Sequence, residues 1–585
     1  MSGKKSTVNT RHLLWRLQTY AGKLHLVDIF FWLLIMGLPA APGLILQGFF
    51  DTLTGESQLD WSPWVWIVWL LVAGLARLVA LFAGRWTKSQ HRFIMSSLVR
   101  HNLLKQLLGW PGAAPISVTG EAEAAVSPGE LISYFRDDAQ QAEDVVQHFA
   151  EVVDMGLFAL GAVIILVTVN AQMTALIFIP LLLIVGVAQY AGQRIKRYRR
   201  AGRRATEQVT GLLGEMFTAI QAIKVAGAEK PILAHLEVLN DARRETMVQD
   251  AMFSALLRSV FTNIVSLGVG VMLLVTATSL QDGSMTIGDF ALFVYFLEFV
   301  TTFLGFLGGL LATYKQVEVS FERMDDVLPG VEAAEIVAHS PLYTNSMLGK
   351  RRTLPAIPQP DYGGDNRLER LVVRGLGYRY PHSQNGIEGI DLEIKRGELV
   401  AITGRIGAGK TTLLQALLGL LPAEGEIYWN GARVAAPGQF FVPPRAAYTP
   451  QVPQLFSQNL VDNLLLGLEA DEGLVAKAVQ AAVFEEDLRQ MPAGYETMIG
   501  PNGVRLSGGQ RQRLAAARML VRRPELLVFD DLSSALDVHT ERLLWERLWG
   551  WRDERYQPTC LVVTHRPLVL ARADRVLEMV GGRLV

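Results

Sequence analysis

Up to about residue 315 the chain is a succession of long apolar stretches set apart by polar ones. Beyond that point the pattern shortens to brief β-rich runs alternating with helical periodicity. Six stretches, at about 25–50, 61–86, 148–170, 172–192, 255–279 and 287–314, each approach the roughly 20 apolar residues that a helix needs to cross a bilayer. Pro39 and Pro42 interrupt the first, a kink that membrane spans tolerate. Trp61, Trp64, Trp66 and Trp69 open the second and suit the headgroup interface. The polar stretches at about 87–147 and 193–254 keep helical periodicity, so helices 2 to 5 are expected to continue past the bilayer as long rods. Within them, residues 127–130 and 211–230 break the pattern or gather small residues, and are the expected cytoplasmic elbows.

Basic residues set the orientation. The segments 51–60, 170–172 and 280–286 contain no Lys or Arg, whereas 193–204 is densely basic, so both termini are expected on the cytoplasmic side. The resulting division is a polar, basic lead over 1–20, a transmembrane domain over 21–325, a Pro- and Gly-containing linker over 326–367 that carries Lys350, Arg351 and Arg352, and a second domain over 368–585. The lead has no apolar core and no cleavage site, so no signal peptide is expected.

Composition adds exclusions more than assignments. Half of the 585 residues are hydrophobic and 19% are charged, as a membrane-embedded half would give, and a net charge of −1 offers nothing to nucleic acid. Cys560 is the one cysteine, so neither an internal disulfide nor a cysteine metal site is expected. Two charges fall near mid-membrane, Arg77 in the second span and Glu298 in the sixth. An intramembrane charge is expensive; these two either face a substrate cavity or pair to fix helix packing.

The chemistry lies in the second domain. The β-rich run at 399–402 leads into Gly404, Arg405, Ile406, Gly407, Ala408, Gly409, Lys410, Thr411 and Thr412, after which a helical pattern starts at once. This is the GxxxxGK[ST] phosphate-binding loop in its strand–loop–helix setting, whose glycines turn backbone N–H groups toward phosphate. Lys410 is placed for the β- and γ-phosphates of a nucleoside triphosphate and the Thr411 hydroxyl for Mg²⁺. A buried-strand run, 526–529, ends in Asp530, a carboxylate positioned for the same Mg²⁺. Between them Leu506, Ser507, Gly508, Gly509 and Gln510 put a hydroxyl and bare backbone at a helix start, a second phosphate-binding surface.

The order GRIGAGKTT, Gln451, LSGGQ, LLVFDD, SALD, His565 resembles the nucleotide-binding domain of an ABC transporter, and with six preceding spans the chain resembles a type IV exporter half-transporter. The resemblance implies a multidomain protein: an all-α six-helix transmembrane domain with long cytoplasmic helix extensions, then an α/β P-loop nucleotide-binding domain. It implies that Tyr380 stacks on adenine, that Gln451 senses Mg²⁺, and that His565 meets the γ-phosphate. Ser534, Ala535, Leu536 and Asp537 would form the loop that crosses to a partner domain, and the 506–510 signature would complete the partner's ATP site. Two such domains close head to tail, so a dimer is implied.

One departure matters most. Where the family's hydrolytic sites carry glutamate after the Walker B aspartate, this chain has Asp531, which draws the carboxylate back by about 1.5 Å. Displacing a catalytic group by about 1 Å can cost roughly a hundredfold in rate. The expectation from sequence is therefore one half of a heterodimeric exporter in a bacterial plasma (inner) membrane, whose own site binds ATP but hydrolyses it poorly. An unlike second half-transporter would supply the glutamate. Its alternatives are a slow homodimeric exporter and an ATP-gated channel or regulatory membrane protein. Besides the lipid bilayer, an unidentified transported substrate is expected as partner. Pro501 stands where relatives of this type carry glutamate before the signature.

Overall fold

The computed structural model describes residues 9–57, 59–114, 126, 128–281, 285–328, 331–343, 353–361, 363, 366–381, 383–500, 505–551 and 556–585; along most of 181–200 and 261–281 it describes the backbone alone. Lys350, Arg351, Arg352 and Pro501 lie outside the described residues. The chain divides into two compact units, Met1–Leu103 with Ser127–Arg352, and Leu104–Val126 with Thr353–Val585.

The first unit is helical: α1 (Thr10–Thr19), α2 (Gly22–Gly37), α3 (Ala40–Thr54), α4 (Pro63–Gly109), α5 (Pro128–Ser133), α6 (Ala139–Val169), α7 (Ala171–Thr218), α8 (Ile220–Ala226), α9 (Glu229–Gln281) and α10 (Ile287–Asp326). Pro39, without a backbone N–H, divides the first apolar run into α2 and α3. Among the described residues three stretches are long and apolar enough to cross a membrane, Gly22–Thr54, Pro63–Gly109 and Gly129–Val169. The stretches expected at 172–192, 255–279 and 287–314 lie on α7, α9 and α10, many of whose side chains are outside the described residues. α4, α7 and α9 are the longest of these helices, running for 47, 48 and 53 residues.

Two packings organise this unit. α10 lies against α3 and α6, and a Cβ at Gly288 would stand 2.4 Å from the Gln47 carbonyl, so only glycine permits that approach. Beside it the Gln47 amide donates to Asp289 Oδ1 at 2.7 Å, and Thr286 and Asp289 form a capping box that starts α10. By contrast α7 and α9 pack chiefly on each other, and α8 at their tip turns by 75° from α7 and buries no residue. After α10 the chain returns along the same unit, where the buried Asn102 amide donates to Ile336 O and Ala338 O at 3.1 and 2.8 Å and the Tyr20 hydroxyl to Ser340 O at 2.6 Å.

The second unit carries β1 (Arg370–Arg379), β2 (Gly386–Lys395), β3 (Leu399–Thr403), α11 (Lys410–Leu417), β4 (Glu424–Trp429), β5 (Ala432–Arg433), α12 (Pro437–Phe440) and β6 (Ala446–Thr449). A helical portion follows, α13 (Leu460–Leu465), α14 (Glu472–Ala481), α15 (Glu485–Gln490) and α16 (Gly508–Leu520), then β7 (Leu526–Asp530), α17 (Val538–Trp549), β8 (Thr559–Val563), α18 (Pro567–Leu570), β9 (Arg575–Val580) and β10 (Arg583–Leu584). The main sheet has the order β10-β9-β3-β8-β7-β6, parallel from β9 to β6, and β2-β1-β4-β5 form a separate antiparallel sheet. Both faces of the parallel sheet are covered. Val528 and Leu561 pack with Leu413 and Leu417 on one side, while Leu527 and Phe529 pack with Leu514 and Trp545 on the other. That double burial is why the strands read as unbroken apolar runs. Residues 108–113, at the end of α4, belong to this unit, where the Ala113 N–H donates to Leu420 O at 3.0 Å.

Candidate functional site

Ligands in open parallel sheets bind beyond the carboxyl ends of the strands. Here four such ends converge. β3 ends at Thr403 and opens into the phosphate loop, where Gly404 has φ 142° and a Cβ would stand 2.3 Å from Met579 O. Gly407 and Gly409 also have positive φ, 82° and 101°. The Ala408 carbonyl is fixed by the Gly582 N–H at 3.0 Å, and the Ala408 N–H donates to Arg405 O at 3.1 Å, leaving Ile406 fully exposed at the loop's tip. Lys410 begins α11 and curls its ammonium over the loop, donating to Gly404 O at 2.6 Å and Arg405 O at 2.9 Å. Burial lowers the Lys410 pKa from its ordinary value, and the carboxylates of Asp530 and Asp531 oppose that shift.

Asp530 closes β7, opposite Val563 of β8, and is 3% exposed. Burial pushes its pKa up, while hydrogen bonds from the Thr411 and Tyr448 hydroxyls pull it back. The Tyr448 bond, to Oδ2, measures 3.4 Å, and burial raises the Tyr448 pKa in turn. A half-exposed ammonium, a threonine hydroxyl and a buried carboxylate thus lie on one rim, a donor set that fits a nucleoside triphosphate with Mg²⁺. Bound there, the cation would be held by Thr411 and Asp530 and would neutralise charge on the phosphates.

The other expected residues surround this rim. Asp531 adopts a left-handed backbone, φ 52°, pinned by its N–H to Val563 O at 3.0 Å. His565, exposed after β8, has Nδ1 3.5 Å from the Thr403 hydroxyl. Gln451 follows β6 with an exposed side chain. Tyr380 sits at the end of β1 with its hydroxyl 3.3 Å from Thr412 Oγ1 and its ring edge-on to Tyr378.

The signature segment stands apart. Ser507 caps α16 and shares a capping box with Gln510, whose amide donates to Asp487 Oδ1 at 3.0 Å; Asp487 also accepts from Arg513 at 2.6 Å. Among the described residues none of these hydrogen bonds reaches the chain's own phosphate loop. Leu506 is buried beneath the cap. Ser534, Ala535 and Leu536 lead to Asp537, which caps α17 by accepting from the Thr540 and His539 N–H groups, and those bonds hold its carboxyl below the usual range. Arg77 is half-buried on α4 with no hydrogen-bond partner at Nε, and Glu298 is exposed on α10; Tyr295 lies within electrostatic reach of both.

Sequence reasoning passed over three residues. Tyr448 braces Asp530, Gln512 joins loops far apart in the chain, and Arg566 donates to Ser533 O at 3.0 Å beside the buried Glu541. A tyrosine three residues before Gln451 was a local signal; the other two contacts are long-range and left none.

These features define a membrane-embedded protein carrying an α/β P-loop ATPase domain. The family profile described as ABC transporter matches residues 387–534, and that of the ABC transporter transmembrane region matches residues 27–304. The chain has the multidomain ABC transporter fold, a multi-pass transmembrane region followed by a nucleotide-binding domain. It is 28% identical over 531 residues to an ATP-dependent lipid A-core flippase of Chromobacterium violaceum, a match spanning 90% of this chain and 84% of the relative. A probable multidrug resistance ABC transporter ATP-binding/permease protein, YheI of Bacillus subtilis, is 28% identical over 429 residues, 71% of this chain and 67% of the relative. A solved bacterial Atm1-family ABC exporter with ATP bound superposes with TM-score 0.68 at 21% identity, covering 95% of this chain and 94% of that one.

These comparisons correct the expectation of a heterodimer. This chain matches ATP-dependent lipid A-core flippases along most of its length, which argues against a distinct partner chain carrying the catalytic glutamate. Asp531 alone had suggested otherwise, because one sequence cannot tell a shortened acid repeated in both sites from one confined to half of a mixed pair.

Proposed function

We propose that two copies of this chain form a homodimeric ABC exporter that hydrolyses ATP to move substrate across the membrane. The observation that carries the reading is the hairpin of α7, α8 and α9. It packs chiefly on itself yet leaves Phe217 74%, Val225 91% and Val238 67% exposed beyond the expected spans. Apolar groups gathered on a polar cytoplasmic arm mark a surface that another chain covers. We take that other chain to be a second copy, a reading supported by the likeness to an ATP-dependent lipid A-core flippase over 90% of this chain. Each copy contributes six spans, with both termini and the nucleotide-binding domain on the cytoplasmic side of a bacterial inner membrane. Each ATP lies between the 404–412 loop of one copy and the Ser507 turn of the other.

Both sites then carry Asp531, so the exporter is a slow one. Lys410 holds the phosphates, Thr411, Asp530 and Gln451 serve Mg²⁺, Tyr380 meets the base, and Asp531 with His565 orients the attacking water. The Chromobacterium relative is named as a lipid A-core flippase, so an amphipathic glycolipid is the first substrate class to assay. The product of this one gene, reconstituted alone in sealed vesicles, is expected to hydrolyse ATP and to translocate a headgroup-labelled glycolipid. Translocation that needs a second, different chain would sink the reading.

A further inference from the structure

Gln512 lies one turn into α16, its side chain 3% exposed, and it has no place in the roles assigned above. Its amide is fully engaged. Nε2 donates to the Gln451 carbonyl at 3.2 Å and to Ser534 Oγ at 2.8 Å, while Oε1 accepts the Ala535 N–H at 3.1 Å. The orientation of the amide is fixed by its partners, since a carbonyl can only accept and a backbone N–H can only donate. One side chain therefore ties the loop after β6, the crossing loop at 534–537 and the signature helix together.

The backbone reinforces this junction. A Cβ at Gly509 would stand 3.0 Å from Ala535 O and 3.2 Å from Leu536 Cδ2, and one at Gly508 would stand 3.4 Å from Ala535 Cβ. The signature glycines thus leave room for the crossing loop of their own chain. On its far side that loop is held by Arg566, through Ser533 O, and by the bond from Ser533 Oγ to Glu541 at 2.7 Å. Between those two anchors, the side-chain amide of Gln512 is what registers the crossing loop against the Gln451 loop.

We propose that Gln512 is a positioning residue for ATP hydrolysis: it locks the Gln451 loop and the crossing loop to the signature helix, so that the elements serving the two ATP sites move as one body. The proposal rests on the reading that the crossing loop faces a second copy. Buried polar networks of this kind hold only while every member is satisfied. Gln512→Glu keeps the shape and removes both N–H donors, setting a carboxylate against the Gln451 carbonyl.

The test uses the full chain in lipid nanodiscs. For Gln512→Glu at pH 7.5, kcat is expected to fall about tenfold, with the KM for ATP within twofold of wild type and Tm unchanged within a few degrees. Ser534→Ala approaches the same contact from the exposed loop and should also lower kcat, and the double variant should lose little more than the worse single one. An unchanged kcat in either single variant, a loss matched by a rise in KM and a fall in Tm, or losses that multiply in the double variant, overturns the proposal. Dimer mass is measured alongside. Absence of a dimer in wild type defeats the two-copy reading, whereas an intact dimer with unaltered kcat defeats the role of Gln512 alone.

Discussion

Asp531→Glu isolates the question of reach. The backbone at 531 is held by the hydrogen bond from its N–H to Val563 O at 3.0 Å, so an added methylene advances the carboxylate rather than letting the chain retreat. The advance is about 1.5 Å, and if the short acid is what limits hydrolysis, the gain in kcat is up to about a hundredfold, or about 2.7 kcal/mol of barrier. The same backbone opposes the change. At φ 52° residue 531 occupies the left-handed region, which aspartate tolerates better than glutamate. Glutamate there costs on the order of 1 kcal/mol, equivalent to a Tm lower by roughly 2–4 °C for a domain of this size. ATP turnover is measured in nanodiscs, with Asp531→Asn as the floor. The expected result is at least a tenfold rise in kcat, an unchanged KM for ATP, and a single class of site by rapid quench, since both sites change together. A folded, ATP-binding Asp531→Glu chain that turns over no faster would refute the argument from reach and make aspartate a sufficient base.

Other outcomes follow from the same geometry. Burial holds the Asp530 pKa above its ordinary range, so an ionised Asp530 without Mg²⁺ works against folding: stability falls as pH rises from the ordinary carboxylate value through the raised one, and is fully recovered only below the ordinary value. Asp530→Asn should therefore show a nucleotide-free Tm at pH 7 at least equal to wild type by differential scanning fluorimetry, with a weaker fall as pH rises above the ordinary carboxylate range, while ATPase is lost more than a hundredfold. Gly404→Ala drives a methyl group to 2.3 Å from Met579 O at a φ of 142° and should abolish binding of a fluorescent ATP analogue and lower Tm by several degrees. Val225→Asp places a charge on a side chain 91% exposed; expression and single-chain folding should be unaffected, but ATPase should no longer respond to substrate.

How much could be read in advance depended on whether the cause was local. The phosphate loop was legible because three glycines, a lysine and a threonine at fixed spacing are themselves the reason for its shape, and the positive φ values at Gly404, Gly407 and Gly409 answer to that code. The runs at 399–402 and 526–529 announced buried parallel strands for the same reason. Long-range partners were not legible. Nothing near Gln512 in the chain announces Ser534 or Gln451, and nothing in the run 105–113 announces that Ala113 bonds to Leu420, whereas the Pro-Gly break at 128–129 is a local signal. Asp531 misled because one chain's sequence holds no record of whether the chain beside it is like or unlike.

The most direct measurement is an ATP-dependent disulfide across the proposed shared site. In a chain with Cys560→Ala, Ile406→Cys at the exposed tip of the phosphate loop and Ser507→Cys in the signature are combined, so that two identical copies carry both halves of the pair. The account predicts a reducible band at twice 64.6 kDa that forms with ATP, in the absence of any other polypeptide, and is lost when either cysteine is omitted. A chain that binds ATP yet stays monomeric under oxidation, or that cross-links only after a different chain is supplied, would contradict it.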